Sequence, residues 1–201
     1  MDLDLAKISA HETYKLLIGL VIPRPIAWIS TRSENGVANC APFSFFNVFS
    51  EDPPLCVIGI NPRSDGAMKH TLKNIRRTRE FVVNLVDEAT ANAMHVSSEE
   101  FPEDVSEFEK TGLTTAPAIT VQHPRIAEAA ACLECKVERI LEISGTRELV
   151  LGQIKLVHAR EGIIDPQTKR ISEKLYRPVG RLFANRYCTT RQRFDLPGEL
   201  P

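Results

Sequence analysis

The chain has 201 residues, 43% of them hydrophobic and 25% charged, with a formal net charge of -1 at pH 7. That length buries a sizeable core, and one domain is expected over residues 1–201, with extensions at roughly 1–12 and 188–201. The near-zero charge excludes nucleic-acid or anionic-lipid binding through a global field, and no run approaches the roughly 20 apolar residues of a membrane helix.

The opening segment, MDLDLAKISAHETY, is acidic and short of apolar residues, unlike a secretory signal or an Arg-rich transit peptide. A cytoplasmic location is the expectation. Thr13 to Gly19 reads as a short helix feeding into VIPRPIAWIS, in which Ile26 to Thr31 is β-branched and apolar enough for a strand. Ser33 to Gly36 (SENG) is a turn, since Asn-Gly suits the positive φ of a tight hairpin.

The chain returns through ANCAPFSFFNVFSEDPPL, Ala38 to Leu55. Phe43, Phe45, Phe46 and Phe49 crowd together with Ser44 and Asn47 between them. The run is too polar and broken for a buried strand and too aromatic for a plain loop. Two readings stand level on composition alone: a Phe-rich core corner whose polar residues make turns, and a cradle for a flat amphipathic heterocycle.

LCVIGI is a buried strand pattern. NPRSDGAMKHTLKNIRRTREF holds a turn at Asp65-Gly66 and a helix from about Met68 to Thr78. FVVNLV is a further strand and EATANAMHVSS a helix. The acidic stretch Glu99 to Glu109 reads as a solvated surface helix rather than a lid, stopped by Gly112. AACLECKVERILEI and ELVLGQIKLVHAREGII then form a hairpin about Ser144 to Thr146. The Arg-rich tail is broken by Pro and Gly.

Strands joined by tight turns imply an antiparallel sheet closing on itself, not a βαβ alternation. No GxGxxG or GxxxxGK[ST] is present, nor GxSxG or HExxH. The five cysteines are odd in number and scattered, against a disulfide framework. Cys132 and Cys135 sit three apart on a strand pattern, so they face opposite sides and read as packed small residues. The five histidines lack metal spacing, and no metal is expected. His158 shares a strand face with Ile154 and Leu156, as a satisfied core or rim residue, with a polar contact to a bound ring as the functional alternative.

Arg63, Lys69 and Thr71 cluster where a loop enters a helix. Such a start offers N–H groups, a positive dipole end and a bidentate guanidinium for a phosphate; a solvated basic face is the plainer reading. Together with the Phe-rich segment, the cluster describes a ligand of mononucleotide size.

In these residues the chain resembles the flavin reductase-like, FMN-binding split-barrel family. The resemblance rests on PRPIAW-ST, the N-x-APFSFF-N segment before Asp52-Pro53-Pro54, T-x-x-N-I followed by EFVVN, LVLGQIKLVH and RPVGRL, in that order from Tyr14 to Tyr187. It implies a mainly β fold, a six-stranded antiparallel Greek-key split barrel with flanking helices. It also implies a homodimer with FMN, sometimes FAD, near the interface. The implied activity is hydride transfer from NADH or NADPH to flavin, often serving a partner monooxygenase, without nucleic acid or membrane.

On matching positions, Ser30, Thr31 and Asn39 would line the flavin site. Phe43, Ser44, Phe45, Phe46 and Asn47 would hold the isoalloxazine and ribityl parts, and Arg63, Ser64, Lys69 and Thr71 the ribityl or phosphate end. Arg181 and Tyr187, with His158, are rim candidates. No catalytic side chain is expected, because flavin N5 carries the chemistry. The chain departs from the family at Gly145-Thr146-Arg147, where several flavin reductases carry Gly-Asp-His associated with nicotinamide handling. A flavoredoxin-like electron carrier or a non-enzymatic FMN-binding protein therefore stays open.

Overall fold

The computed structural model describes residues 1–145 and 147–197. Helix α1 (Ala10–Leu20) starts at a capping box: Ser9 Oγ accepts from the Glu12 N–H while the Glu12 carboxylate accepts from the Ser9 N–H. It buries none of its residues.

Seven strands then build the main sheet: β1 (Ala27–Arg32), β2 (Ala38–Phe43), β3 (Phe46–Glu51), β4 (Pro54–Ile60), β5 (Glu80–Leu85), β8 (Ala131–Ser144) and β9 (Arg147–Ala159). Between them in the chain lie α2 (His70–Thr78), α3 (Ala91–Val96), α4 (Glu107–Thr111) and the short pair β6 (Thr115–Ala116) and β7 (Arg125–Ile126). A second pair, β10 (Val179–Arg181) and β11 (Tyr187–Thr189), follows.

The order is β2-β1-β5-β8-β9-β4-β3, and every pairing is antiparallel. The two edge strands are consecutive in the chain, joined only by Ser44 and Phe45, and β2 also approaches β4. The sheet therefore curls into the expected antiparallel split barrel. It has seven strands where six were expected, because the Phe-rich segment divides at Ser44-Phe45 into β2 and β3.

The continuous apolar pattern of β1 and β5 has a direct cause. Ala27, Ile29, Phe81 and Val83 point into the barrel, where Phe43, Phe46, Ile58 and Val150 meet them beneath Leu72 and Ile75 of α2. Their neighbours Trp28 and Val82 point outward, yet are covered by Met94 of α3, Phe108 of α4 and Ile126. A strand buried on both faces needs no polar alternation. Cys132 and Cys135 fall in these two opposite clusters, as their spacing predicts. In the barrel, Cys135 Sγ lies 3.9 Å from Cys56 Sγ.

Gly152 of β9 makes room for the Phe81 ring; a Cβ there would stand 2.9 Å from Phe81 Cε1. Gly36 (φ +84°) closes the β1–β2 turn and Gly112 (φ +68°) ends α4. Thr146, which separates β8 from β9 in the sequence together with Gly145, lies outside the described residues; Gly145 has φ +54°.

Candidate functional site

Two cavities adjoin at the end of β2, and Pro42 and Ser98 line both. The smaller, about 60 Å³, lies between the loop before α2 and the loop after α3. Asn39, Phe43, Arg63, Lys69 and Thr71 contribute to its walls, facing Ser98 to Phe101. The N-cap residue of α2, Lys69, makes no side-chain capping hydrogen bond here.

Arg63 Nη1 stands 3.2 Å from His70 Nε2. Burial first, and then the Arg63 charge, lower the His70 pKa. A neutral ring then accepts the guanidinium N–H through Nε2, and Arg63 Nε lies 3.9 Å from Asp65 Oδ2.

The floor of this cavity is a buried polar network. Asn39 Oδ1 accepts from Thr31 Oγ1 (3.2 Å) and Thr71 Oγ1 (3.0 Å), while Asn39 Nδ2 donates to Glu107 Oε1 (2.7 Å). Asn74 Nδ2 donates to Thr31 Oγ1 at 3.1 Å, and the Cys40 N–H to Glu107 Oε2 at 3.1 Å. Strands β1 and β2 and helices α2 and α4 are thereby locked to one another. Burial raises the Glu107 pKa, opposed by these hydrogen bonds.

The acidic stretch is therefore not the solvated helix its composition suggests. Only Glu107–Thr111 is helical, and Ser106, Glu107 and Phe108 are buried. Two amide donors offset the desolvation of the Glu107 carboxylate. Upstream, Glu100 accepts from the Ser64 N–H (3.1 Å), Ser64 Oγ (2.6 Å) and Lys69 Nζ (3.4 Å), and Glu103 accepts from Lys73 Nζ (2.7 Å). The stretch folds back over the basic loop.

The larger cavity, about 770 Å³, has a different chemistry. Helix α1 roofs it with His11, Tyr14, Lys15 and Ile18; Phe183 and Tyr187 wall it from the C-terminal segment, and Ser44 and Met94 lie below. Tyr14 meets Phe45 edge-on, with centroids 6.3 Å apart. Arg24 Nη1 donates to the Ile18 (2.6 Å) and Val21 (2.8 Å) carbonyls, and Nη2 to that of Leu182 (2.6 Å), fastening α1 and the C-terminal segment to the barrel. Its Nε reaches Ser44 Oγ at 3.4 Å. Arg181 donates to Tyr187 Oη and the Ala184 carbonyl; its Cζ lies 4.7 Å from the Tyr187 ring centroid. Tyr187 Oη is also 3.2 Å from His95 Nδ1.

The structure gathers part of the expected constellation. Asn39, Phe43, Arg63, Lys69 and Thr71 line the smaller cavity, and Ser44, Arg181 and Tyr187 the larger. Thr31 supports Asn39 from behind, and Ser64 holds Glu100. Ser30 faces elsewhere: its hydroxyl donates to the Pro124 carbonyl and accepts from Asn84 Nδ2. Phe46 is buried in the barrel, Asn47 is exposed and bonds the Val48 N–H, and Phe45 touches Tyr14 without lining either cavity.

His158 belongs to a separate groove, with Arg125, Cys132 and Arg160. It lies 2.5 Å from Glu134, which also accepts from the Ile119 and Thr120 N–H groups. Burial alone would raise the Glu134 pKa, but the bonds from His158, Thr120 and Ile119 bring it to about 2.

Sequence reasoning missed Arg24, Glu100, Glu107 and the α1 face. The His11/Lys15 and Tyr14/Ile18 spacings of four were the available signal.

Among proteins of known sequence, a flavin reductase like domain matches residues 19–178. A protein of Aquifex aeolicus (strain VF5) is 40% identical over 187 residues, covering 93% of this chain and 94% of that one. Among solved structures, the 2-nitrobenzoate 2-nitroreductase of Pseudomonas fluorescens superposes with a TM-score of 0.90 at 37% identity, covering 100% of this chain and 98% of that one. Nitrilotriacetate monooxygenase component B from Bacillus cereus gives 0.92 at 29% identity, covering 98% of both. With the curled antiparallel sheet and the paired cavities at its β2 corner, these matches establish that the chain belongs to the flavin reductase-like split-barrel family.

Proposed function

We propose that this chain is an FMN-dependent oxidoreductase of the flavin reductase type, passing hydride from NADH or NADPH to flavin and acting as a homodimer with the flavin near the subunit interface. Bound FMN supplies the redox chemistry through N5; the chain binds, orients and tunes it. The observation that carries the reading is the junction at Pro42–Ser44 of a small cationic, hydroxyl-lined cavity and a large aromatic one. An amphipathic ring with an anionic tail needs those two chemistries side by side.

The donor set fits such a ligand. Arg63, Lys69, the Thr71 hydroxyl and the start of α2 suit the phosphate. Asn39, held from three sides, presents a fixed amide to the ribityl chain. Phe43 and the Ser44 hydroxyl offer apolar surface and an edge contact to the ring. The electron acceptor is a partner monooxygenase or a small molecule; similarity to a monooxygenase component B supports the first.

Titration with FMN followed by visible absorbance tests the binding, and anaerobic addition of NADH or NADPH tests the activity. The expected result is a saturable flavin spectrum that bleaches with one nicotinamide. A colourless chain at saturating FMN overturns the reading. Bound flavin that neither nucleotide reduces favours a flavoredoxin-like carrier or a non-enzymatic FMN-binding protein. One observation supports that second reading: Gly145 and Arg147, in the stretch where the family resemblance leads one to expect Gly-Asp-His, line neither cavity.

A further inference from the structure

The larger cavity is lined by basic residues, and Glu12 on α1, outside that lining, senses Lys15. No Asp or Glu lines it, whereas His11, Lys15, Arg24 and Arg181 do. Arg24 is 6% exposed and is met by three carbonyls and a hydroxyl. Arg181 is met by a carbonyl and a phenol. These partners satisfy the guanidinium N–H groups but leave their charge in place. Burial lowers the Arg24 pKa, Tyr14 opposes the shift, and the Arg181 charge adds a smaller lowering, so the two cations sense each other.

Around them the walls are rings: Tyr14, Phe183 and Tyr187. At about 770 Å³ the cavity lies toward the roomy end of small-ligand sites, which run about 300–1,000 Å³. Lys15 projects from α1, one turn after His11, and is exposed. It is the basic lining residue that can move to meet a ligand, because Arg24 and Arg181 are tied to backbone carbonyls.

We propose that this cavity binds the second substrate of the chain, that the substrate is a planar aromatic carboxylate, and that Lys15 is the specificity residue for its anionic group. The inference rests on the flavin reading above, which places the cofactor phosphate in the smaller cavity and its ring at the Pro42–Ser44 junction, and leaves the remaining space under α1 to a reaction partner. Apolar ring walls supply contact area for any aromatic molecule. Guanidinium charge with no carboxylate among the lining residues, beside an ammonium free to swing onto the ligand, favours an anion over a neutral molecule of the same shape.

Benzoate and benzamide are the probes, because they share a flat ring and differ in charge. Calorimetric titration of each into the FMN-loaded protein at low salt should show benzoate binding at least about tenfold more tightly. Lys15→Gln should remove most of that ratio, and Lys15→Glu should bring it to one or below; FMN uptake by each variant serves as the folding control. Equal affinities for the two probes, a ratio unchanged in Lys15→Glu, or benzoate expelling FMN would each overturn the proposal. A Lys15→Glu variant that alters the KM for NADH while no protein binds benzoate would assign the charge to the dinucleotide instead, and overturn it equally. Failure of FMN to bind defeats the flavin reading alone, since the ratio is then measured on the flavin-free chain.

Discussion

His123 is buried between α2 and the β6–β7 pair, with Nε2 2.8 Å from Thr78 Oγ1. Burial pushes its pKa down to about 4; Glu80 opposes the shift, and Arg77 and Arg32 reinforce it. In the unfolded chain the ring protonates near 6.5. Between those values the unfolded state binds the extra proton, so this group destabilises the fold as pH falls from about 6.5 toward 4, by at most about 1.4 kcal/mol per pH unit. Glu134, held at about 2, loses its contribution lower down, as pH falls from 4.5 toward 2. Glu107, pushed up by burial, has the opposite slope just above 4.5. The informative quantity is thus a difference: urea unfolding of wild type and His123→Asn at pH 4.5 and 7 should give the variant the shallower pH dependence. Parallel curves would show that His123 titrates normally. At the neighbouring network, Glu107→Ala leaves the Asn39 amide and the Cys40 N–H without their acceptor, at about 1–3 kcal/mol for each buried donor. Glu107→Gln keeps an acceptor oxygen, so its melting temperature should lie between those of Glu107→Ala and wild type.

The loop after α3 and the loop before α2 hold one another through charge. Glu100 occupies the donors of Ser64 and Lys69 that a phosphate would use, and Glu103 occupies Lys73. Such exposed ion pairs add little stability, but under the proposed function the Glu100 contacts would have to open for a phosphate to enter the smaller cavity. Glu100→Gln should therefore tighten FMN binding, by roughly fivefold, and weaken its dependence on salt. Fluorescence titration at two ionic strengths checks this; weaker binding would show that Glu100 is a needed part of the site. The elements around this contact also mark where sequence reading succeeds. Strands β1, β4 and β5 are buried and rich in apolar residues, so their runs were legible without tertiary knowledge. The gathering of Arg63, Lys69 and Thr71 at one cavity was legible because they lie within nine positions of each other. The acidic stretch was not, because its partners are 36 residues away for Glu100 and 68 for Glu107. Composition reports solubility there, and only the fold brings the counter-charges. The helix itself was read over Thr13 to Gly19, but the inner face of α1 escaped for another reason: it covers a cavity instead of a core, so it carries a histidine, a lysine and a tyrosine where hydrophobic periodicity looks for leucine.

At the scale of the whole molecule the question is what covers the apolar surface that the chain leaves bare. Leu20 and Val21 at the end of α1 are 77% and 60% exposed, and Val48 and Phe49 on edge strand β3 are 60% and 66% exposed. An edge strand that presents adjacent large apolar residues invites pairing with another chain, and natural proteins ordinarily blunt such edges with charge, Pro or a covering element. A bulge between Val48 and Ser50 interrupts the ladder at Phe49, yet both apolar side chains stay uncovered. A second copy is the partner that the family resemblance implies, and a two-fold interface would bring the same patch from both subunits together. Phe49→Asp places a charge where that contact would be dry, so it should shift the protein from dimer to monomer in sedimentation velocity while the far-ultraviolet spectrum is kept. If the flavin sits near the interface, FMN affinity should fall in the same variant, because half of the wall is then removed. A wild-type chain that sediments as a monomer at micromolar concentration would end the dimer reading. A monomeric Phe49→Asp with undiminished FMN affinity would instead keep the dimer and place the flavin wholly within one subunit, between α1, α2 and the corner where β2 becomes β3.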